Sequence, residues 1–382
     1  MQRAIAEEDL DGWLFFHFRG RDALCMRVLG LARESISTRP SYYFVPRQGE
    51  PIKIVHSIES TVFDALPGRR SIYASREELL RLVRGLPKGK VAVQYSEELP
   101  IVSFLDLGTA RLLERSGLTL VSSAGLIQRT IGVLDEAGIA SHERASRALY
   151  EIVDTTWQRI RSSFATNTAV REDEVQAWIM EEFARRGLFT DHAPIIAAGI
   201  HSANPHFEPL SGAGAQLRRG EVLEIDLWAK EKGEGAIYGD ISWVGVLDAE
   251  PEGSIADAFE ILVSARDRGF ALIRERCAEG MRITGAEVDS AVRAVLIEHG
   301  FEAALRHRTG HGIDTEDHGS GVNLDSVEFP DSRPLIEGSC FSIEPGIYLP
   351  SYGLRTEIDV YIRGGAPRIS GGTPQARLLD LS

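Results

Sequence analysis

The sequence predicts two domains, an α/β unit at the N-terminus and a larger α+β unit with an internal duplication. Three observations predict this. The chain has 382 residues, more than one hydrophobic core usually fills. Its first third alternates apolar strand-like runs with helical spacing. Its remainder repeats itself at a nearly constant offset. The boundary falls near residue 132, giving domains 1–132 and 133–382.

In the first domain DGWLFF (11–16), YYFVP (42–46), PIKIVHS (51–57) and KVAVQYS (90–96) read as strands. SREELLRLVRGL (75–86) and FLDLGTARLLERSG (104–117) carry apolar residues at helical spacing, with Gly85 and Gly117 near their ends. A mixed or parallel sheet is the expected result. No cluster of catalytic residue types stands out in this part.

In the second domain two helical segments, 141–164 and 171–187, are followed by two more, 255–277 and 284–300. Glu174, Val175 and Gly187 return as Glu287, Val288 and Gly300, each 113 residues later. Downstream, Leu217, Gly220, Ile225 and Asp226 match Leu335, Gly338, Ile343 and Glu344, each 118 residues apart. Each block then supplies a second acid, Asp240 and Glu357. The repeating unit is two helices followed by an antiparallel strand pair.

VLEID and CFSIE are apolar runs that end in a carboxylate. Burying such a group is costly unless something compensates it. A hairpin sets each acid pair side by side, and two hairpins related by a pseudo-twofold face four carboxylates across a small gap. They cannot all stay ionised there without cations. Divalent ions resolve the conflict, and oxygen-rich ligation suits hard ions such as Mn²⁺. A nitrogen ligand is available in HRTGHGIDTEDHG (307–319), where Gly310 and Gly312 flank His311 and His318 follows. His206 lies in HSANPHFEP (201–209).

Taken singly, each of these residues has a plainer reading: a turn acid, or a surface or core histidine. Trp157, Trp178, Trp228 and Trp243 read as core, with contact to the site as the alternative for Trp243, and Cys340 reads as a small buried hydrophobe. Rival motifs are missing. There is no HExxH, GxSxG or P-loop, and GAGAQL (212–217) lacks the third glycine of a dinucleotide loop. The net charge of −14 disfavours nucleic acid as a partner. No run approaches the roughly 18 apolar residues of a membrane helix. The N-terminus lacks an apolar signal core. Three scattered cysteines fit a reducing compartment. The expected location is cytoplasmic, with no membrane partner.

In order, EIDLW, YGDIS, TGHGID, SIEPGIY and LRTEID resemble the pita-bread (M24) metallopeptidase family of methionine aminopeptidase, aminopeptidase P and prolidase. The resemblance covers roughly residues 135 to 375. With a creatinase-like domain in front, the layout is similar to the aminopeptidase P and prolidase branch. It implies two divalent ions, Mn²⁺ with Co²⁺ or Zn²⁺ as alternatives, held by Asp226, Asp240, His311, Glu344 and Glu357. Asp240 and Glu357 would be shared, Asp226 would serve one ion, and His311 with Glu344 the other. It implies hydrolysis of Xaa-Pro bonds by a hydroxide between the ions, with Glu344 as general base and acid. His206 and His318 would face the substrate, Arg355 would steady the carboxylates, and Tyr348 would contact the substrate. The implied partners are a small peptide with proline second and a second copy of the chain in a homodimer. The N-terminal domain would roof the cleft, and Arg19 or Arg21 would capture a terminal carboxylate.

Three features depart from the family pattern. The Asp226–Asp240 interval is lengthened by KEKGEG, which a longer hairpin tip would absorb. Trp243 stands where relatives commonly carry arginine, and Asp314 where GHGIG has its last glycine. Two other functions remain open. One is a metal-dependent hydrolase of a small amide or amidino compound, and the other a non-catalytic binding protein on the same scaffold.

Overall fold

The computed structural model describes residues 1–32, 37–247 and 251–380. The chain divides into two compact units, Met1–Ile131 and Gly132–Ser382. No helix among the described residues is long and apolar enough to cross a membrane.

The first unit is built on six strands: β1 (Gly12–His17), β2 (Ser41–Pro46), β3 (Ile52–His56), β4 (Arg69–Tyr73), β5 (Lys90–Val93) and β6 (Thr119–Ser122). Their order is β4-β3-β2-β1-β5-β6. The centre, β1–β2–β3, is antiparallel, and both flanks are parallel. Alternation along the strands separates two cores. Trp13, Phe15, Tyr43 and Val45 face α1 (Gln2–Glu7), α2 (Ala23–Leu29) and α5 (Ala124–Ile131). Leu14, Tyr42, Phe44 and Ile54 face α3 (Arg76–Arg84) and α4 (Leu107–Arg115). Ser75 and Glu78 close a capping box at the start of α3. The fourth helix starts at Leu107 rather than Phe104, because Asp106 caps it by accepting from Thr109 N–H. The strands that the sequence pattern missed, β4 and β6, are the two edges. Edge strands bury less and carry polar residues (RRSIY, TLVS), so the apolar alternation is weak there.

The second unit carries the duplication. Its first half holds α6 (Glu136–Ala165), α7 (Glu172–Arg186), the short strands β7 (Leu188–Phe189) and β8 (Ile195–Ala198), and the hairpin β9 (Val222–Glu231) and β10 (Gly239–Val246). Asp135 caps α6, so that helix begins five residues before the predicted Ser141. Gly187 ends α7 in a left-handed conformation. The second half holds α8 (Gly253–Ala278), α9 (Gly285–Glu298), β11 (Cys340–Ile343), β12 (Gly346–Tyr348), β13 (Gly353–Arg355), β14 (Ile358–Arg363), β15 (Ala366–Ile369) and β16 (Leu379–Asp380). Leu149, Ile152, Ile179 and Phe183 of α6 and α7 pack on Ile225, Leu227 and Ile241 of the first hairpin. Phe259, Leu262, Val288 and Val292 of α8 and α9 pack on Phe341, Ile343, Leu354 and Val360 of the second.

The two hairpins differ in register. In the first, Asp226 faces Ser242 and Asp240 faces Trp228, so the acids are diagonal rather than side by side. In the second, Ile343 faces Ile358 and Gly346 faces Arg355. One unbroken register therefore joins β11–β12 to β13–β14, and Glu344 and Glu357 stand opposite each other at its gap.

Candidate metal centre

Each candidate ligand stands on a strand face or a pinned loop. Along β9 and β10 side chains alternate. Ile225, Ile241 and Trp243 turn toward α6 and α7, while Asp226, Asp240 and Ser242 turn toward the second hairpin. Trp243 accordingly packs edge-on against Tyr150 at 6.0 Å and does not line the cleft. The main chain at Gly310 runs so close to β11 that a Cβ there would lie 2.0 Å from Ser342 O. That approach lets Ser342 Oγ accept the His311 N–H at 3.0 Å. His311 is thus held against Glu344, two residues beyond Ser342.

His311 Nε2 lies 3.5 Å from Asp240 Oδ2 and 3.4 Å from Glu344 Oε1. Its Nδ1 lies 3.3 Å from Gly312 O. A carbonyl only accepts, so Nδ1 carries the proton and the Nε2 lone pair points at the two carboxylates. Asp240, His311 and Glu357 also present ligand atoms within 4.8 Å of one another. Ser242 Oγ bridges the remaining acids, 3.0 Å from Asp226 Oδ1 and 2.9 Å from Glu357 Oε2. The five expected ligands therefore converge.

Burial and mutual charge set the electrostatics. Burial raises Asp240 well above the carboxylate range, and Glu357 and Asp317 add to it. Burial does the same to Glu357, helped by Glu344 and Asp226. Glu344 is pushed up to about 7 by burial, with Arg355 opposing and Asp226 adding. His311 is held neutral, first by burial and then by His318 and Arg308. Asp240 Oδ1 is buried with no hydrogen-bond partner among the described residues. Neutral imidazole nitrogen, clustered carboxylates and an orphaned oxygen form a donor set that fits divalent cations.

Arg355 sits behind this cluster. Its Nη2 lies 2.6 Å from Asp226 Oδ2 and 2.9 Å from Glu224 Oε1, and its Nε donates to Ser242 Oγ at 3.0 Å. Tyr348 is buried beneath the cleft rather than on its wall. Its hydroxyl accepts from Arg355 Nη1 at 2.9 Å and donates to His307 Nε2 at 2.8 Å. His307 Nδ1–H donates in turn to Arg308 O at 2.7 Å. Burial and the Arg355 charge lower the His307 pKa to about 3, keeping it neutral in this relay.

A cleft of about 740 Å³ opens over the ligands, and His206, His318, Arg308 and Asp317 line it. His206 is exposed, on a loop tied to β13 by Gly353 N–H donating to Ser202 Oγ at 2.8 Å. The His318 ring lies against that of His311, with centroids 4.1 Å apart and the planes tilted by 32°. Two of the three family departures meet here. Lys230 Nζ, from the lengthened hairpin, donates to Thr315 O at 2.5 Å, and Tyr238 N–H to Asp314 O at 3.1 Å. The Asp314 carboxylate accepts from Glu316 N–H and Ser320 N–H, closing the loop that carries His318. In the first unit the guanidinium groups of Arg19 and Arg21 lie over the Phe18 ring.

Sequence reasoning missed Glu224, Ser242, Asp317 and Asp359. Asp359 accepts the Asp240 N–H at 2.8 Å and is fully buried. Three of the four had a readable signal, a polar group two residues from a ligand on the same strand face. Asp317 had none.

The model of metallopeptidase family M24 matches residues 140–364. A probable dipeptidase, PepE, of Mycobacterium tuberculosis is 28% identical over 268 residues, 70% of this chain and 64% of that protein. An Xaa-Pro dipeptidase of Pyrococcus furiosus is 32% identical over 182 residues, 46% of each chain. The chain thus spans between about half and two-thirds of these relatives' lengths. The crystal structure of dipeptidase PepE from Mycobacterium ulcerans has a TM-score of 0.69 at 21% identity, covering 99% of this chain and 95% of that one.

Proposed function

The chain belongs to metallopeptidase family M24, with a pita-bread catalytic fold, and from that premise we propose that it hydrolyses Xaa-Pro bonds with two divalent metal ions. The observation that carries this reading is the convergence of the His311 Nε2 lone pair with Asp240 and Glu344 oxygens at 3.5 and 3.4 Å. Three acceptors so close repel one another unless a proton or a cation lies among them, and a divalent ion satisfies all three at once.

Asp226, Asp240, His311, Glu344 and Glu357 would hold the ions. Their oxygen-rich set favours Mn²⁺. When bound, the ions polarise the scissile carbonyl and make a coordinated water acidic near neutral pH. Glu344 takes the proton of the attacking water and returns it to the leaving nitrogen. A prolyl nitrogen is a tertiary amide nitrogen and leaves only when protonated, so this return is essential. His206 and His318, on the cleft wall, donate to the oxygen that gains charge. Arg355 pins Asp226 through a 2.6 Å contact and keeps the carboxylates in place.

Arg308 supports action on dipeptides. It lines the cleft, its only polar side-chain contact is His318 Nδ1 at 3.5 Å, and no carboxylate lies within ion-pair distance of it among the described residues. In Xaa-Pro, only the prolyl Cα separates the scissile nitrogen from the free carboxylate. A guanidinium beside His318 is therefore placed to receive it. Comparing Ala-Pro, Ala-Pro-Ala and small non-peptide amides under added Mn²⁺ tests the proposal. Ala-Pro should be cleaved fastest, and cleavage of the amides alone would replace this reading with the small-amide one.

A further inference from the structure

One acid of the cleft stands apart from the five ligands. Asp317 lies in the loop 314–320, next to His318, and lines the cleft. Its side chain is 12% exposed, and Oδ1 is buried with no hydrogen-bond partner among the described residues. Oδ2 lies 3.9 Å from His318 Nε2. One ligand atom each from His311, Asp317 and His318 lie within 4.8 Å of one another. An unpaired buried carboxylate is expensive, and proteins retain one where a cation compensates it.

The loop is built to hold Asp317 where it is. Its main chain is tied on both sides, by Asp314 accepting from Ser320 N–H at 2.7 Å and by Gly319 N–H donating to Gly312 O at 2.7 Å. The hairpin tip adds Lys230 and Tyr238 from outside. A Cβ at residue 319 would lie 2.7 Å from the Asp314 carboxyl carbon, so glycine is required for this closure. The carboxylate is therefore fixed before any ion arrives, as a metal site needs.

We infer that Asp317 is a sixth protein ligand of the metal centre, joining the ion held by His311. This rests on the dinuclear reading above. It adds to that reading an anionic ligand where the loop departs from the pattern of its relatives, and it biases the centre further toward hard divalent ions.

The test compares wild type, Asp317→Asn, Asp317→Val and Asp240→Asn, each stripped of metal and titrated with Mn²⁺ by calorimetry. Thermal melts are run with and without the ion. Asp317→Asn and Asp317→Val should weaken one Mn²⁺ site at least tenfold. Both should raise the melting temperature of the metal-free protein and lower that of the Mn²⁺-loaded protein. A merely structural residue would move both melts the same way. Mn²⁺ affinities within twofold of wild type would overturn the inference. If Asp240→Asn still lost metal, the dinuclear reading would stand alone. Unchanged affinity with selective loss of Lys-Pro cleavage would overturn it in favour of Asp317 as a receptor for a cationic substrate group. Wild type that takes up no Mn²⁺ would remove both readings together.

Discussion

Glu344 and Glu357 face each other at the gap of an otherwise continuous antiparallel ladder. Ile343 pairs with Ile358 on one side, and Gly346 with Arg355 on the other. The interruption frees both acids from strand geometry at the point where β9 and β10 deliver Asp226 and Asp240. Burial with no cation present makes this arrangement unfavourable, and four measurable consequences follow from that.

The first is a pH dependence of stability without metal. Burial lifts Glu344 from an ordinary 4.5 to about 7 in the folded protein. A raised folded-state pKa means that the folded chain binds the proton more tightly than the unfolded one. The stabilisation is complete below about pH 4.5 and is lost as pH rises through about 7. The melting temperature of the metal-free protein should therefore fall between these values. Glu344→Gln should flatten the fall, and saturating Mn²⁺ should offset it.

Arg355→Met should be among the most damaging single changes. It leaves Glu224 and Asp226 buried without their cation, and Glu224 already sits at about 7 through burial despite the arginine. Removing one partner of a buried pair costs about 3–5 kcal/mol. Denaturant unfolding of the metal-free variant checks this, with a larger loss at pH 8 than at pH 6.

Tyr348→Phe tests whether that residue acts from below the cleft. The substitution removes the bridge between Arg355 and His307. It leaves a buried donor and acceptor unmatched, at about 1–3 kcal/mol. The stability loss should come with a lowered kcat and little change in KM. A rise in KM alone would instead place the tyrosine against the substrate.

Arg308→Gln should erase the preference for a free carboxylate. The comparison is kcat/KM for Ala-Pro and for its amide. Wild type should favour the acid, and the variant should treat the two alike, because the cation beside His318 is gone.

The sequence pattern reached the five converging residues because their signals are local. Glu344 follows an apolar strand, Glu357 precedes one, and Asp226 and Asp240 stand within apolar strands, while His311 lies between glycines whose missing side chains permit the contact with β11. The duplication made the acids legible as pairs, yet it misjudged their geometry. Register depends on hairpin length, and the first hairpin is longer, so Asp226 meets Ser242 instead of Asp240. Glu224 and Asp359 were legible in principle from their two-residue spacing to a ligand. Asp317 was not, because a loop has no periodicity and its position depends on Asp314, Lys230 and Tyr238, brought together only by the fold. The edge strands β4 and β6 were missed for a related reason: their place is set by neighbours and not by their own apolar pattern.

If the acids and His311 form a metal centre that performs peptide hydrolysis, activity should follow the metal. The most direct measurement is Ala-Pro hydrolysis by protein dialysed against a chelator, with metal content determined alongside, before and after Mn²⁺ is returned. The expected result is no cleavage without metal, recovery at two ions per chain, and no recovery in Asp240→Asn or Glu344→Gln. Full cleavage by the metal-free protein, or by either variant, would contradict it.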